Sequence, residues 1–296
     1  MARPLRSPPL DRAAPYLFVF LWSTGFIGAR YGLPHAEPLS FLLVRYAVVL
    51  ALLLPLGLAT RAPWPREART RVHIAIAGLL VHGLYLSGVF VAISRGLPAG
   101  VTSLVVGLQP ILTAVGAGLL LGERTTARQW LGLLLGFAGV ALVLSGKMGA
   151  GAAQSLGPML FPALLALAGI TLGTLYQKRF CPAFDLRTGG VIQFSASAVA
   201  TLPFALAWES FRIDWSGEFL FALAWLVLVL SLGAISLLNL LIRRGSAVNV
   251  ARLFFLVPPS TSLIAWAVFG ETLRAPALLG MGLAAAGVYL ARPSPS

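Results

Sequence analysis

Acidic side chains are scarce in this chain, with nine Asp and Glu among 296 residues, and none of them falls inside a long apolar run. Cysteine is limited to Cys181, which excludes a disulfide framework and leaves one reduced thiol. Catalytic signatures are missing as well: there is no metal-binding His pair, no Gly-x-Ser-x-Gly elbow and no phosphate-cradling glycine motif. No enzyme activity, cofactor or metal is therefore expected, and an ATP-driven pump is excluded for this chain alone. Charge is low overall, at 10% of residues, against roughly a quarter in soluble domains.

Hydrophobic residues make up 58% of the chain, and they are collected into ten runs near the ~20 residues that cross a bilayer as a helix. The spans run over 13–29, 39–58, 72–94, 99–121, 128–145, 156–178, 187–207, 219–241, 247–269 and 275–291. The runs are continuously apolar, without the inside/outside alternation of a barrel strand, and a helix satisfies every backbone group within itself. An all-α, polytopic membrane protein of ten transmembrane helices is the expected fold class. The first run is too long for a signal peptide and lacks a small-residue cleavage site, so it is expected to stay as helix one.

The chain is one unit written twice. Pro110 with Gly122-Glu123 recurs 148 positions later as Pro258 with Gly270-Glu271, and the same ungapped offset superposes Glu37 on Asp185, Pro55 on Pro203 and Arg95 on Arg243. Residues 1–145 form the first five-helix repeat, the Gly/Ala-rich stretch 146–157 a linker, and residues 158–296 the second repeat. Five crossings is an odd number, so the second repeat enters the membrane from the opposite side and the halves are inverted.

Orientation follows from Lys and Arg in short loops. With the N-terminus inside, 15 of the 22 basic residues are cytoplasmic, and only Arg30, Arg95, Lys147, Arg212 and Arg274 face out. Both termini are thus expected in the cytoplasm, in a multi-pass protein of the inner membrane. The net charge of +13 is read as this topology signal, and no nucleic acid is expected as a partner.

The strings LWSTGFIGARYGLPHAEPLSFLLVRY at 21–46, QPILTAVGAGLLLGERTTARQWLGLLLGFAGVALVLS at 109–145 and LVPPSTSLIAWAVFGETLRAPALLGMGLAAAGVYL at 256–290 resemble the EamA-type branch of the drug/metabolite transporter superfamily. One departure is Thr272, where the first half carries Arg124 after Gly-Glu. The resemblance implies a secondary transporter exporting amino acids, aromatic or bulky and neutral, or related small metabolites. Rival readings are an exchanger of phosphorylated or nucleotide sugars, a multidrug exporter, or a membrane sensor without cargo. The lack of a carboxylate in helix one argues against the small multidrug-resistance mechanism. If protons drive the cycle, His82 is the obvious intramembrane carrier.

Candidate cargo contacts are Trp22, Ser23 and Phe26 on helix one, and His82 with Tyr85 one helical turn on, hence on one face of helix three. Gln109, Thr171, Thr174, Ser236, Asn239 and Asn249 are the other polar candidates. Arg45 and Arg252 lie about two turns inside their helices, where a long side chain snorkels to the interface. The sharper alternative has one of them hold a substrate carboxylate through a two-pronged hydrogen bond. Pro110 and Pro258 are expected to kink helices four and nine at bilayer depth, beside a cavity lined by helices one, three, four, six, eight and nine. Gly132, Gly136, Gly139, Gly280, Gly282 and Gly287 are read as close-packing positions of helices five and ten, which either seal the halves or join two copies as a homodimer.

Glu123 and Glu271 are read as structural turn residues, each favouring the start of the following helix. Glu123→Gln and Glu271→Gln are therefore expected to leave transport kinetics nearly unchanged. Loss of turnover at normal expression would assign them a part in the cycle instead.

Overall fold

The computed structural model describes residues 9–97, 99–145, 156–181, 183–244, 247–269 and 275–291. Among them the chain forms ten helical rods and no strand, with a single backbone bridge between Ala36 and Ile213. The rods are α1 (Pro9–Gly32), α2 (Pro38–Ala59), α3 (Ala68–Ser94), α4 in two pieces (Ala99–Val106 and Gln109–Leu121), and α5 (Ala127–Ser145). They continue as α6 (Leu156–Phe180), α7 (Leu186–Trp208), α8 (Gly217–Arg244), α9 (Ala247–Ala251, a 3-10 segment Arg252–Leu256, then Val257–Phe269) and α10 (Ala275–Leu290). Five of the described helices, including α2, α3, α7 and α8, are long and apolar enough to cross a membrane by length and composition. The rest of the described rods include shorter apolar helices.

Local chemistry sets the ends. Asp185 caps α7 by accepting from the Arg187 and Thr188 N–H groups, and Ser216 caps α8 by accepting from Phe219. Before α5, Thr126 and Gln129 bond reciprocally: the Thr126 N–H donates to Gln129 Oε1 at 2.9 Å and the Gln129 N–H to Thr126 Oγ1 at 3.3 Å. This box closes the start of α5. Glu123 lies in the turn that ends α4, where Gly122 is left-handed at φ 67° and the Glu123 N–H reaches the Ala117 carbonyl. Glu271 lies outside the described residues.

The packing is paired by the repeat. α2 lies along α7 and α5 along α10, while α1 packs on α8 and α9 and α6 on α3 and α4. The equivalent helices that lie along one another, α2 with α7 and α5 with α10, run antiparallel. The start of α2 meets the end of α7, where the Leu39 and Ser40 N–H groups and the Ser40 hydroxyl donate to the Glu209 carboxylate at 2.7–2.8 Å. In return the Ser210 and Arg212 N–H groups donate to Glu37. At the opposite end the Thr188 hydroxyl, at the start of α7, donates to the Pro63 carbonyl just past α2. Each half thus satisfies orphan backbone donors of the other.

Departures from the α-ladder come in equivalent pairs. α3 contains a π-helical stretch at Leu79–Leu84 and α8 one at Leu226–Ala234. Moving the first by the repeat offset lands inside the second. α4 breaks at Gly107–Leu108 and α9 passes through its 3-10 segment before Val257, so Pro110 and Pro258 sit in the first turn of the helix after each break rather than at its apex. A proline is tolerated there because its missing N–H would have no helical partner.

Lipid tails are as apolar as leucine, so exposed Leu119 and Val199 cost nothing and helix association must come from close approach. A Cβ on Gly139 would lie 2.4 Å from the Ala284 nitrogen, and one on Gly287 2.4 Å from the Gly136 nitrogen. These glycines seal α5 against α10 within the chain, so the alternative of a contact between two copies does not apply to them. Gly282 departs from the expectation: a Cβ there meets nothing within 4 Å, because it points away from α5. Gly139→Ala and Gly287→Ala are each expected to cost about 1–3 kcal/mol, since backbone cannot yield as a side chain does. Thermal unfolding in detergent should show a lowered Tm for both and none for Gly282→Ala.

Candidate functional site

A narrow cavity opens between α1, α2, α3 and α8, with about 40 Å³ in which the centre of a water molecule can sit. Its walls include Trp22, Phe26, Ala29, Arg45, Tyr85, Leu86, Val89, Phe90, Leu226 and Leu230. α4, α6 and α9, expected to line it, contribute none of its walls, and α2 does so through Arg45. The π-segments of α3 and α8 border it: Leu226 and Leu230 lie within the one in α8, and Tyr85 directly follows the one in α3.

Arg45 carries the charge of this cavity. Its side chain is buried, and Nε donates to the Ser231 hydroxyl at 2.9 Å, so it does not snorkel to the interface as its depth alone suggested. Trp22 and Tyr85 stack with ring centroids 6.1 Å apart and planes 17° from parallel. Phe254 meets the Trp22 ring edge-on from behind.

His82 does not share this face. An α-helix would place it beside Tyr85, but it lies in the π-stretch, whose wider turn carries it round to α7. There its ring stacks on Phe194 at 4.2 Å, while its carbonyl accepts from the Tyr46 hydroxyl at 2.6 Å. Neither ring nitrogen has a hydrogen-bond partner among the described residues.

The other candidates scatter around the cavity. Ser23 donates to the Val19 carbonyl and to the Val257 carbonyl of α9, and so joins α1 to the start of the helix after the break. Thr174 is satisfied by its own helix, through the Ile170 and Thr171 carbonyls. Gln109, Thr113 and Thr171 are buried with side-chain polar atoms unbonded among the described residues, along the α4–α6 contact. Ser236 is half-buried, and Asn249 lies in the first piece of α9, where its carbonyl accepts from Arg252 Nε. Arg252 also reaches the Val288 carbonyl of α10, away from the cavity.

Asn239 belongs to a group that sequence reasoning passed over. Gln193 donates to Gln177 Oε1 at 3.2 Å, and Gln177 donates to Asn239 Oδ1 at 2.8 Å, giving a buried amide chain from α7 through α6 to α8. A signal for it was available, because Gln193 is the repeat equivalent of Arg45 and a glutamine inside an apolar run is unusual. Near it, outside the apolar spans, Asp185 is held below the usual carboxylate range by its side-chain bonds to Arg187, and burial pushes the Cys181 thiol up to about 11. Such a thiol is inert at neutral pH.

A sequence profile of the EamA-like transporter family matches twice, at residues 15–145 and 157–292. The chain belongs to the EamA-like transporter family. Over 97% of this chain and 93% of its own length, the Bacillus subtilis "uncharacterized transporter YvbV" is 30% identical. The Escherichia coli "uncharacterized inner membrane transporter YedA" is 26% identical over 95% of this chain and 90% of its own. A "probable amino-acid metabolite efflux pump" of Salmonella typhimurium is 25% identical over 93% and 92%. A solved crystal structure superposes with a TM-score of 0.77 at 19% identity, covering 94% of this chain and 95% of that one, which shows the fold alone. This EamA-like chain is a membrane transporter, and its long apolar helices agree with a place in a membrane.

For this EamA-like chain, Trp22→Ala and Tyr85→Ala are each expected to raise the half-saturation concentration about tenfold, through loss of a stacked aromatic wall. His82→Phe should change it less than twofold. Saturation curves for uptake into proteoliposomes read both.

Proposed function

We propose that this protein is a secondary carrier that exports amino acids or related small carboxylate-bearing metabolites across the inner membrane by alternating access. All ten rods cross the membrane in this reading, as two inverted repeats, 1–145 and 158–296, joined by 146–157, with both termini in the cytoplasm. Support comes from the antiparallel packing of equivalent helices and from the clustering of Lys and Arg at one face. The outward direction rests on the name of the Salmonella relative.

The observation that carries the reading is a cavity whose repeat image is shut. Moved by the offset, Trp22, Phe26, Ala29 and Arg45 become Ile170, Thr174, Gln177 and Gln193. Around that image the Gln193–Gln177–Asn239 chain is bonded, and a Cβ on Gly78 would lie 2.5 Å from the Gln193 Cα, so α3 and α7 are in close contact there. With the N-terminus inside, the cavity lies in the outer half and the amide chain in the inner half. The molecule is then outward-facing, and its inward-facing partner state needs the amide chain parted.

Saturable uptake and counterflow of labelled phenylalanine in proteoliposomes test the carrier. Absence of protein-dependent movement across a panel of amino acids and their acids would overturn it. In a Cys181→Ser background, Gln177→Cys with Asn239→Cys bridged by a short bifunctional thiol reagent should stop transport, and reduction of a cleavable bridge should restore it. Undiminished transport with the bridge in place would sink the alternating closure.

A further inference from the structure

The wall chemistry of the cavity is one-sided. Hydrogen-bond donors are the Arg45 guanidinium, the Trp22 indole N–H and the Tyr85 hydroxyl, and that hydroxyl is also the one side-chain acceptor among the lining residues. The remaining walls are Gly25, Ala29 and aliphatic or phenyl side chains. No Asp or Glu lines the space, and no carboxylate among the described residues lies within ion-pair distance of Arg45. Within the chain Arg45 bonds through Nε to Ser231, its one side-chain hydrogen bond among the described residues, and the residue lines the open volume.

We infer that the cavity selects amphipathic monocarboxylates that lack a neighbouring ammonium, such as aryl- or alkyl-substituted carboxylic acids, over the corresponding amino acids. This rests on the carrier reading and narrows its cargo. A carboxylate pairs with the free face of the guanidinium through two parallel N–H···O bonds, which suits an arginine better than any point charge. The apolar body then lies between the Trp22–Tyr85 stack and Phe26 with Phe90. An amino acid brings a cation into the same space, held by its own skeleton close to Arg45. That ammonium sheds water and finds one hydroxyl where it needs three acceptors, so it is rejected as any buried unpaired polar group is. Ser231 is the positioning residue: with Nε tied to α8, the guanidinium edge presented to the cavity is fixed.

The test is ligand-dependent thermal stabilisation of the purified full-length protein in detergent, which needs no transport and is unaffected by passive leakage of weak acids. Phenylalanine, 3-phenylpropionate and phenethylamine share one ring and chain and differ only in which charged groups they carry. The expected order is 3-phenylpropionate acting at least about tenfold lower in concentration than phenylalanine, with phenethylamine inert. Arg45→Gln should abolish the effect of the acid, and Arg45→Lys should keep a weakened one. Ser231→Ala, which removes only a hydroxyl, should raise the concentration needed while leaving the apo melting profile cooperative. If phenylalanine matches or exceeds 3-phenylpropionate, if phenethylamine stabilises, or if none of the three does, the inference is overturned. An amino-acid preference overturns it while sparing the carrier, whereas failure of all saturable transport removes the carrier reading and leaves the binding order standing by itself.

Discussion

Hydrocarbon offers no hydrogen bonds, so a backbone inside it must close its own ladder. Every departure from the α-ladder then needs a local reason. In this chain the departures fall in α3, α4, α8 and α9, and they pair across the repeat: two π-stretches, and two breaks each followed by a proline in the next helical turn. A π-turn inserts a residue and rotates the helix beyond it. Without it Tyr85 and His82 would share a face. The cavity is where the altered turns of α3 and α8 meet the straight helices α1 and α2.

Backbone symmetry and side-chain asymmetry divide the work. The same framework builds an aromatic, cationic space on one side of the pairing axis and an amide-bonded seal on the other, with Arg45 and Gln193 at equivalent places. In the proposed cycle the seal biases the molecule toward the state with the outer space open. Two amide–amide bonds in a membrane interior contribute on the order of 1 kcal/mol each or less. A bias of one to two kcal/mol sets populations about tenfold apart, which differential binding of cargo is able to reverse. A buried ion-pair lock at the same position would cost several kcal/mol to part. Amides thus suit a gate that must open on every turnover.

Much of this was legible in the sequence because the relevant signals are periodic. The helical runs, the duplicated proline and acidic positions, and the glycine stripe follow from spacing alone, and the antiparallel pairing of equivalent helices agrees with the odd number of segments in each half. What spacing does not carry is direction. The depth of Arg45 permits both a snorkelling and an inward side chain, and Ser231 on a helix 186 positions later decides between them. Helical spacing makes His82 and Tyr85 neighbours, and the π-turn that parts them leaves no mark in composition. Spacing puts Gly282 in the stripe, because glycine on a helix shows its face only against a partner. Gln177 and Gln193 both interrupt apolar runs, but their meaning lies in a bond to each other across sixteen residues.

The solitary charge sets limits on what the site does. Removing a guanidinium from water is expensive unless it is paired, and the pairing inside this chain is one hydroxyl. In the proposed reading the residual demand is met from the cavity, by the carboxylate of the cargo. At the effective dielectric near 20 that describes protein sites, a carboxylate about 4 Å away gains roughly 4 kcal/mol of attraction before desolvation is subtracted. Several cations converging on one phosphate would multiply that figure and slow release. A carrier needs its cargo held firmly enough to enter and loosely enough to leave. One arginine among aromatic walls, with no acid beside it, meets that requirement for a singly charged ligand and fails it for a multiply charged one, so the shortage of charge in the chain is itself a statement about cargo.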